Sequence, residues 1–448
     1  MFERTAIKWL LEWKEKSTRK PLIIRGARQV GKTSLVKEFG KSFDLFIALN
    51  LDRAEDLSLF DQDVSVQTLF DSILFLQNKK RPQGSVLLFI DEIQNSENAI
   101  KLLRYFYEDM PEIHVIAAGS LLETLLNVQV SFPVGRVEYM ALRPCSFYEF
   151  LGALGESQLQ EVLKNTAVNE LIHKRMLSFF NRFVLVGGMP QVVAQYANTH
   201  DLVSLNPFYQ TLLAGYRDDV EKYEKSAAMR NVIRYIITNG FGFAGQRITF
   251  ENFANSNYKS REVGDALRTL QKALLLDLVY PTVETKPPLL PDHKKKPKLF
   301  WLDTGLMNFA AGIQREVFEK EDVNDAWRGF VAEHVVAQEM WAASFDYIHQ
   351  RKFWVREAKN SQAEVDFLYS DFETGIIPVE VKSGHNSKLK SLHLFMENSP
   401  ATMAIRFWAK PASSDYIKLP SGKEFRLLNL PYYYAGFIEA YLSNLKSS

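Results

Sequence analysis

A single cysteine, Cys145, stands in 448 residues. It has no partner for an internal disulfide, and without a CxxC pair a thiolate metal cluster is excluded, so a reducing cytoplasm is expected and zinc is not. Charge of one sign is not in excess either. The net charge of +1 argues against a uniformly basic nucleic-acid coat and leaves such contacts to local patches. No apolar run approaches the roughly 18 to 20 residues of a membrane span, and MFERTAIKWLLEWKEK reads as a charged amphipathic helix rather than a cleavable signal. No membrane partner is expected. What remains, 46% hydrophobic and 24% charged residues, is ordinary soluble composition, and the length asks for about three or four domains.

Against that plain background one segment stands out, LIIRGARQVGKTSL at 22–35: an apolar strand running into a complete GxxxxGKT loop. Gly26 and Gly31 let the backbone curl, so that N–H groups from Gly26, Ala27, Arg28, Gln29, Val30, Gly31, Lys32, Thr33 and Ser34 face one oxyanion at a helix N-terminus. Lys32 would reach the β- and γ-phosphates of ATP, and the Thr33 hydroxyl would ligate Mg²⁺. A second strand, Val86 to Ile90, ends in Asp91 and Glu92. Asp91 would hold Mg²⁺ through water while Glu92 polarises the attacking water. Strand, loop, helix and acidic strand predict a parallel sheet with its ligand at the carboxyl ends of the strands.

The run from GARQVGKTSL through FIDEIQ, AAGS and GRVEYMALRPCSFYEFL resembles the AAA+ ATPases of bacteria and archaea that carry an uncharacterised C-terminal domain known as DUF4143. The resemblance places Ser120, at the end of the strand IHVIAAGS, where the polar residue that senses the γ-phosphate lies. It makes Arg136 either an arginine finger, reaching a neighbouring subunit's nucleotide in a homo-oligomer, or a surface arginine before a strand. RFVLVGGMPQVV is similar to the GxP signature of related ATPases, with Gly188 and Pro190 matching; the alternative is a tight turn between helices with no nucleotide contact.

From 151 to 240 apolar residues recur three and four apart, which predicts a helical lid. Its acidic cluster, Asp218, Asp219, Glu221 and Glu224, reads as a solvated helix face. Residues 247–282 read as short helix, turn, longer helix from Ser260 and strand; the lysine-rich loop 285–298 and the strand LFWLDTGL complete a winged helix-turn-helix. Either Lys259, Arg261 and Arg268, with Lys294 to Lys296 as the wing, contact DNA, or the module only packs and communicates.

The last segment holds a second set of chemical groups. SQAEVDFLY and, fourteen residues after its aspartate, IIPVEVKSG bring Asp366, Glu380 and Lys382 into the order D, then ExK. Side chains alternate along a strand, so Glu380 and Lys382 share a face. Two carboxylates and an ammonium are what metal-assisted phosphodiester cleavage uses. The pattern resembles the PD-(D/E)xK nucleases, with Glu333 as the upstream helical acid, and implies Mg²⁺ on Glu333, Asp366 and Glu380; Val365 replaces the eponymous proline. The alternative is an exposed hairpin with a cross-strand pair. Glu364 is either a substitute ligand or solvent-facing. The expected architecture is therefore an α/β chain: a P-loop AAA+ parallel sheet (1–150), a helical lid (151–240), a winged helix (241–305) and an α/β nuclease-like domain (306–448).

Overall fold

The computed structural model describes residues 2–61, 64–119, 135–166, 168–220, 224, 226–313, 329–346, 351–358, 361–371, 373–383 and 388–447. Five strands form the first sheet: β1 (Leu22–Arg25), β2 (Leu45–Asn50), β3 (Val86–Asp91), β4 (Ile113–Gly119) and β5 (Glu138–Ala141). Their order is β2-β3-β4-β1-β5, and every pairing is parallel. A parallel sheet has both faces covered, and here β1, β3 and β4 are buried along their whole length. Ile24, Leu87, Phe89 and Ile116 face one apolar cluster while Ile23, Leu88, Ile90 and Val115 face another, as the two-residue alternation requires. The expected parallel α/β sheet is thus present, with β1 in its interior between β4 and β5.

The segment expected as a lid is helical. The helix Glu170–Val186 ends at Gly187, whose φ of 69° a residue with a Cβ rarely adopts. Gly188 follows under a different constraint: a Cβ there would lie 2.1 Å from the Cys145 carbonyl oxygen. The helix Pro190–Thr199 starts with proline at its first position, and Asn206–Asp218 and Ala227–Asn239 complete the layer.

The helix Ser260–Lys272 leads into β6 (Leu276–Thr282), which pairs antiparallel with β7 (Lys298–Trp301). The far half of β6 then pairs parallel with β8 (Lys352–Ala358), and β8 with β9 (Ser361–Val365). Strands expected in two separate domains thus share one sheet, β7-β6-β8-β9. A third sheet has the order β10-β11-β12-β14-β13, from β10 (Phe367–Asp371), β11 (Gly375–Val381), β12 (Met403–Trp408), β13 (Ser413–Lys418) and β14 (Glu424–Pro431). The segment SQAEVDFLY, expected as one strand, is two, broken at Asp366 where the chain passes between sheets. Among the described residues no helix is long and apolar enough to cross a membrane.

Candidate functional site

The phosphate loop joins β1 to the helix Lys32–Gly40, and Gly31 enters that helix with φ 95°, in the left-handed region. Gln29 also has positive φ, so the loop curls tightly at two points. The Lys32 ammonium donates to the carbonyl oxygens of Gly26 and Ala27 at 2.9 and 3.0 Å. Burial lowers its pKa to about 8, against the opposing pull of Glu92 and Asp91. The Thr33 hydroxyl donates to Asp91 Oδ2 at 2.6 Å, so two oxygen donors suited to Mg²⁺ meet at the ends of adjoining elements. Glu92 leaves β3 with φ 54°, an uncommon conformation for a residue with a side chain, and its carboxylate accepts from the Gln94 amide.

Other elements brace this loop. Arg4 donates to the Val30 and Arg143 carbonyls at 3.1 and 2.8 Å and pairs with Glu149 at 3.0 Å. Arg28 pairs with Asp219, and Tyr216 donates to the Arg28 carbonyl at 3.1 Å. Asp219 is 6% exposed, so the reading of its cluster as a wholly solvated face fails there: the carboxylate is turned inward to meet the loop arginine. Pro190 lies beside the loop, its Cγ 3.6 Å from where a Gly31 Cβ would stand. Behind Pro190, Asp303 accepts from the amides of Gly188 at 2.5 Å and Leu306 at 2.8 Å. Burial raises the Asp303 carboxyl to about 6 in spite of these donors. Arg136 lies just before the first residue of β5 and pairs with Glu108 of its own chain at 2.8 Å. Ser120 lies outside the described residues.

The C-terminal groups come together. Phe367 pairs with Val379, which sets Asp366 opposite Glu380, and the Val381 amide donates to Asp366 Oδ2 at 2.8 Å. Lys382 meets Glu380 at 2.5 Å, and Glu333 arrives from the helix Gly329–Ala342. A further residue, Lys298 at the start of β7, stands among them. Its ammonium lies 2.7 Å from Glu333, 2.7 Å from Glu364 and 3.3 Å from Asp366. Burial disfavours that charge, but the three carboxylates outweigh it and raise the Lys298 pKa. Burial and the Asp366 charge raise Glu333 and Glu380 alike, opposed by Lys298 at both and by Lys382 at Glu380. Glu364, 32% exposed, gives Oε1 to Lys298. Of the basic loop, Lys295 is committed to Glu357 at 2.5 Å, while Lys294 and Lys296 are exposed. Arg261 and Arg268 both reach Asp265, at 3.8 and 2.7 Å.

Known proteins bear on the same regions. A profile described as an AAA domain matches residues 18–151, a domain of unknown function, DUF8612, matches 178–317, and DUF4143, also of unknown function, matches 328–418. None of the curated proteins matches the chain. Among solved structures, the chain is similar to the Walker-type ATPase PABY2304 of Pyrococcus abyssi, at 15% identity and TM-score 0.44, over 69% of this chain and 96% of that one. It is also similar to the Aeropyrum pernix Orc1 protein, solved in complex with DNA, at 10% identity and TM-score 0.29, over 70% and 93%. The RuvB Holliday junction branch migration motor of Thermotoga maritima aligns at 14% identity and TM-score 0.26, over 62% and 90%.

Proposed function

We propose that this chain, which carries an AAA domain followed by DUF8612 and DUF4143 domains, is a Mg²⁺-dependent ATPase that couples nucleotide turnover to its C-terminal, nuclease-like region. The observation that carries the ATPase reading is the 2.6 Å bond between Thr33 and Asp91, two oxygen donors brought beside the Lys32 ammonium. Thr33 and Asp91 fit Mg²⁺, which when bound neutralises charge on the phosphates. Lys32 contributes a fixed positive charge, the loop amides hold the anion, and Glu92 accepts the proton of the attacking water. Substituting Lys32→Ala tests the binding step: nucleotide affinity should be lost, and retention of full affinity would refute the site.

For the output we propose nucleotide-controlled binding of DNA or another nucleic acid, with exposed Lys294 and Lys296 and the arginines of the helix Ser260–Lys272, the second helix of a winged-helix module, as phosphate contacts. Cleavage is the competing reading, and the lysine at the centre of the acid cluster favours binding over it. Incubation with Mg²⁺ or Mn²⁺ and single-stranded, duplex and branched substrates, beside an Asp366→Ala control, separates the two. Binding without cutting supports the proposal; cutting that Asp366→Ala removes would reinstate the nuclease.

A further inference from the structure

The acid cluster is the place where a divalent cation would be expected, and its donors are largely spent. Asp366 uses Oδ1 on Lys298 and Oδ2 on the Val381 amide. Glu333 and Glu364 each give an oxygen to Lys298, and Glu380 gives Oε1 to Lys382. Glu380 Oε2 is buried without a hydrogen-bond partner among the described residues. Five of the eight carboxylate oxygens are thus engaged, and the others lie beside two ammonium groups whose positive charge opposes a second cation, a poor site for Mg²⁺, which asks for octahedral oxygen coordination. The residues therefore do not fit the metal that the resemblance implied.

They do fit an ammonium. A lysine has three N–H donors, and three carboxylates surround this one. The Phe353 ring lies beneath it, with its centroid 5.0 Å from the nitrogen, and the side chain is 2% exposed. A buried cation held this way is costly to displace, because Asp366 and Glu333, 11% and 18% exposed, would lose their ammonium partner.

We propose that Lys298 is the built-in cation of this cluster, standing in for a divalent metal and clamping the β6–β7 hairpin to the Gly329–Ala342 helix and to the β9–β10 corner. Neighbouring pairs continue the clamp: Arg247 reaches Glu357 at 2.6 Å and Glu364 at 3.8 Å, and Lys295 reaches Glu357. The seam joins basic groups from the hairpin side to acids from the C-terminal strands. This deepens the binding reading of the C-terminal region and rests on it, but it is tested without ATP or nucleic acid, so the two can fail separately.

The probe is Mn²⁺ alone, followed by its paramagnetic resonance, in an Asp91→Asn background that removes the phosphate-loop ligand. The parent chain should bind no Mn²⁺ at the cluster. Lys298→Met should gain a Mn²⁺ site that a further Asp366→Asn change abolishes, and Mn²⁺ should raise the denaturation midpoint of Lys298→Met but not of the parent. If Lys298→Met folds only when Mn²⁺ is supplied, the substitution of metal for ammonium is supported directly. A parent chain that binds Mn²⁺ in a manner lost on Glu380→Gln would overturn the proposal, whether or not the lysine variant folds.

Discussion

Asp303 accepts the Gly188 amide hydrogen across 2.5 Å, tying the turn beside the phosphate loop to the segment two residues past the end of β7, the strand that begins at Lys298. The contact is buried and continues inward: Thr304 donates to Gln338 at 2.7 Å and meets His334 at 3.0 Å, on the helix that carries Glu333. Hydrogen bonds thus link the Gly188 turn, through Asp303 and its neighbour Thr304, to the helix that carries Glu333. Asp303→Asn keeps the size of the side chain but turns one acceptor into a donor facing an amide. Loss of the hydrogen bond should cost about 1–3 kcal/mol in chemical denaturation and lower ATP turnover. Unchanged stability and turnover would sever this path from function.

Nucleotide binding should carry the signature of Lys32. Burial lowers its pKa to about 8, so above that pH the unliganded protein holds the amine neutral. A bound triphosphate favours the ammonium, so binding takes up a proton there and affinity must fall as pH rises. A titration of nucleotide affinity should be flat below about pH 7.5 and weaken toward tenfold per unit above the apo pKa. A flat profile to pH 10 would mean that Lys32 does not meet the phosphates.

Arg136 makes a claim about assembly. Its pairing with Glu108 lies on the side of the sheet where β5 begins, whereas the phosphate loop follows the end of β1, with which β5 is parallel. Any action on a nucleotide is therefore in trans. Turnover per chain should rise with protein concentration, Arg136→Ala should lose roughly a hundredfold or more, and mixing it with a Glu92→Gln chain should restore part of the rate. Concentration-independent turnover, unaffected by Arg136→Ala, would make this arginine a surface ion pair.

The ATP site was legible because its parts are contiguous: one loop supplies Gly26 to Thr33, and one strand end supplies Asp91 and Glu92. Glu333, Asp366, Glu380 and Lys382 were legible from order and from two-residue alternation. Lys298 was not, because it closes a lysine-rich loop and its partners lie 35 to 68 residues away. The available signal was its place at the head of a strand whose four residues are all buried, KLFW, where a lysine needs a partner. Asp219 was hidden likewise, since a helix-end acid looks solvated until Arg28, 191 residues earlier, is brought to it. Asp303 is masked by the strand-like run LFWLDTGL, although an aspartate ahead of Thr-Gly-Leu is a helix-cap signal.

The central claim, ATP hydrolysis driven by Glu92 beside a Lys32–Thr33–Asp91 site, is tested most directly by measuring binding and turnover of Mg²⁺-ATP on the Glu92→Gln chain. Affinity should stay at the wild-type level while turnover falls on the order of a hundredfold or more. Hydrolysis at the wild-type rate by that variant would contradict it.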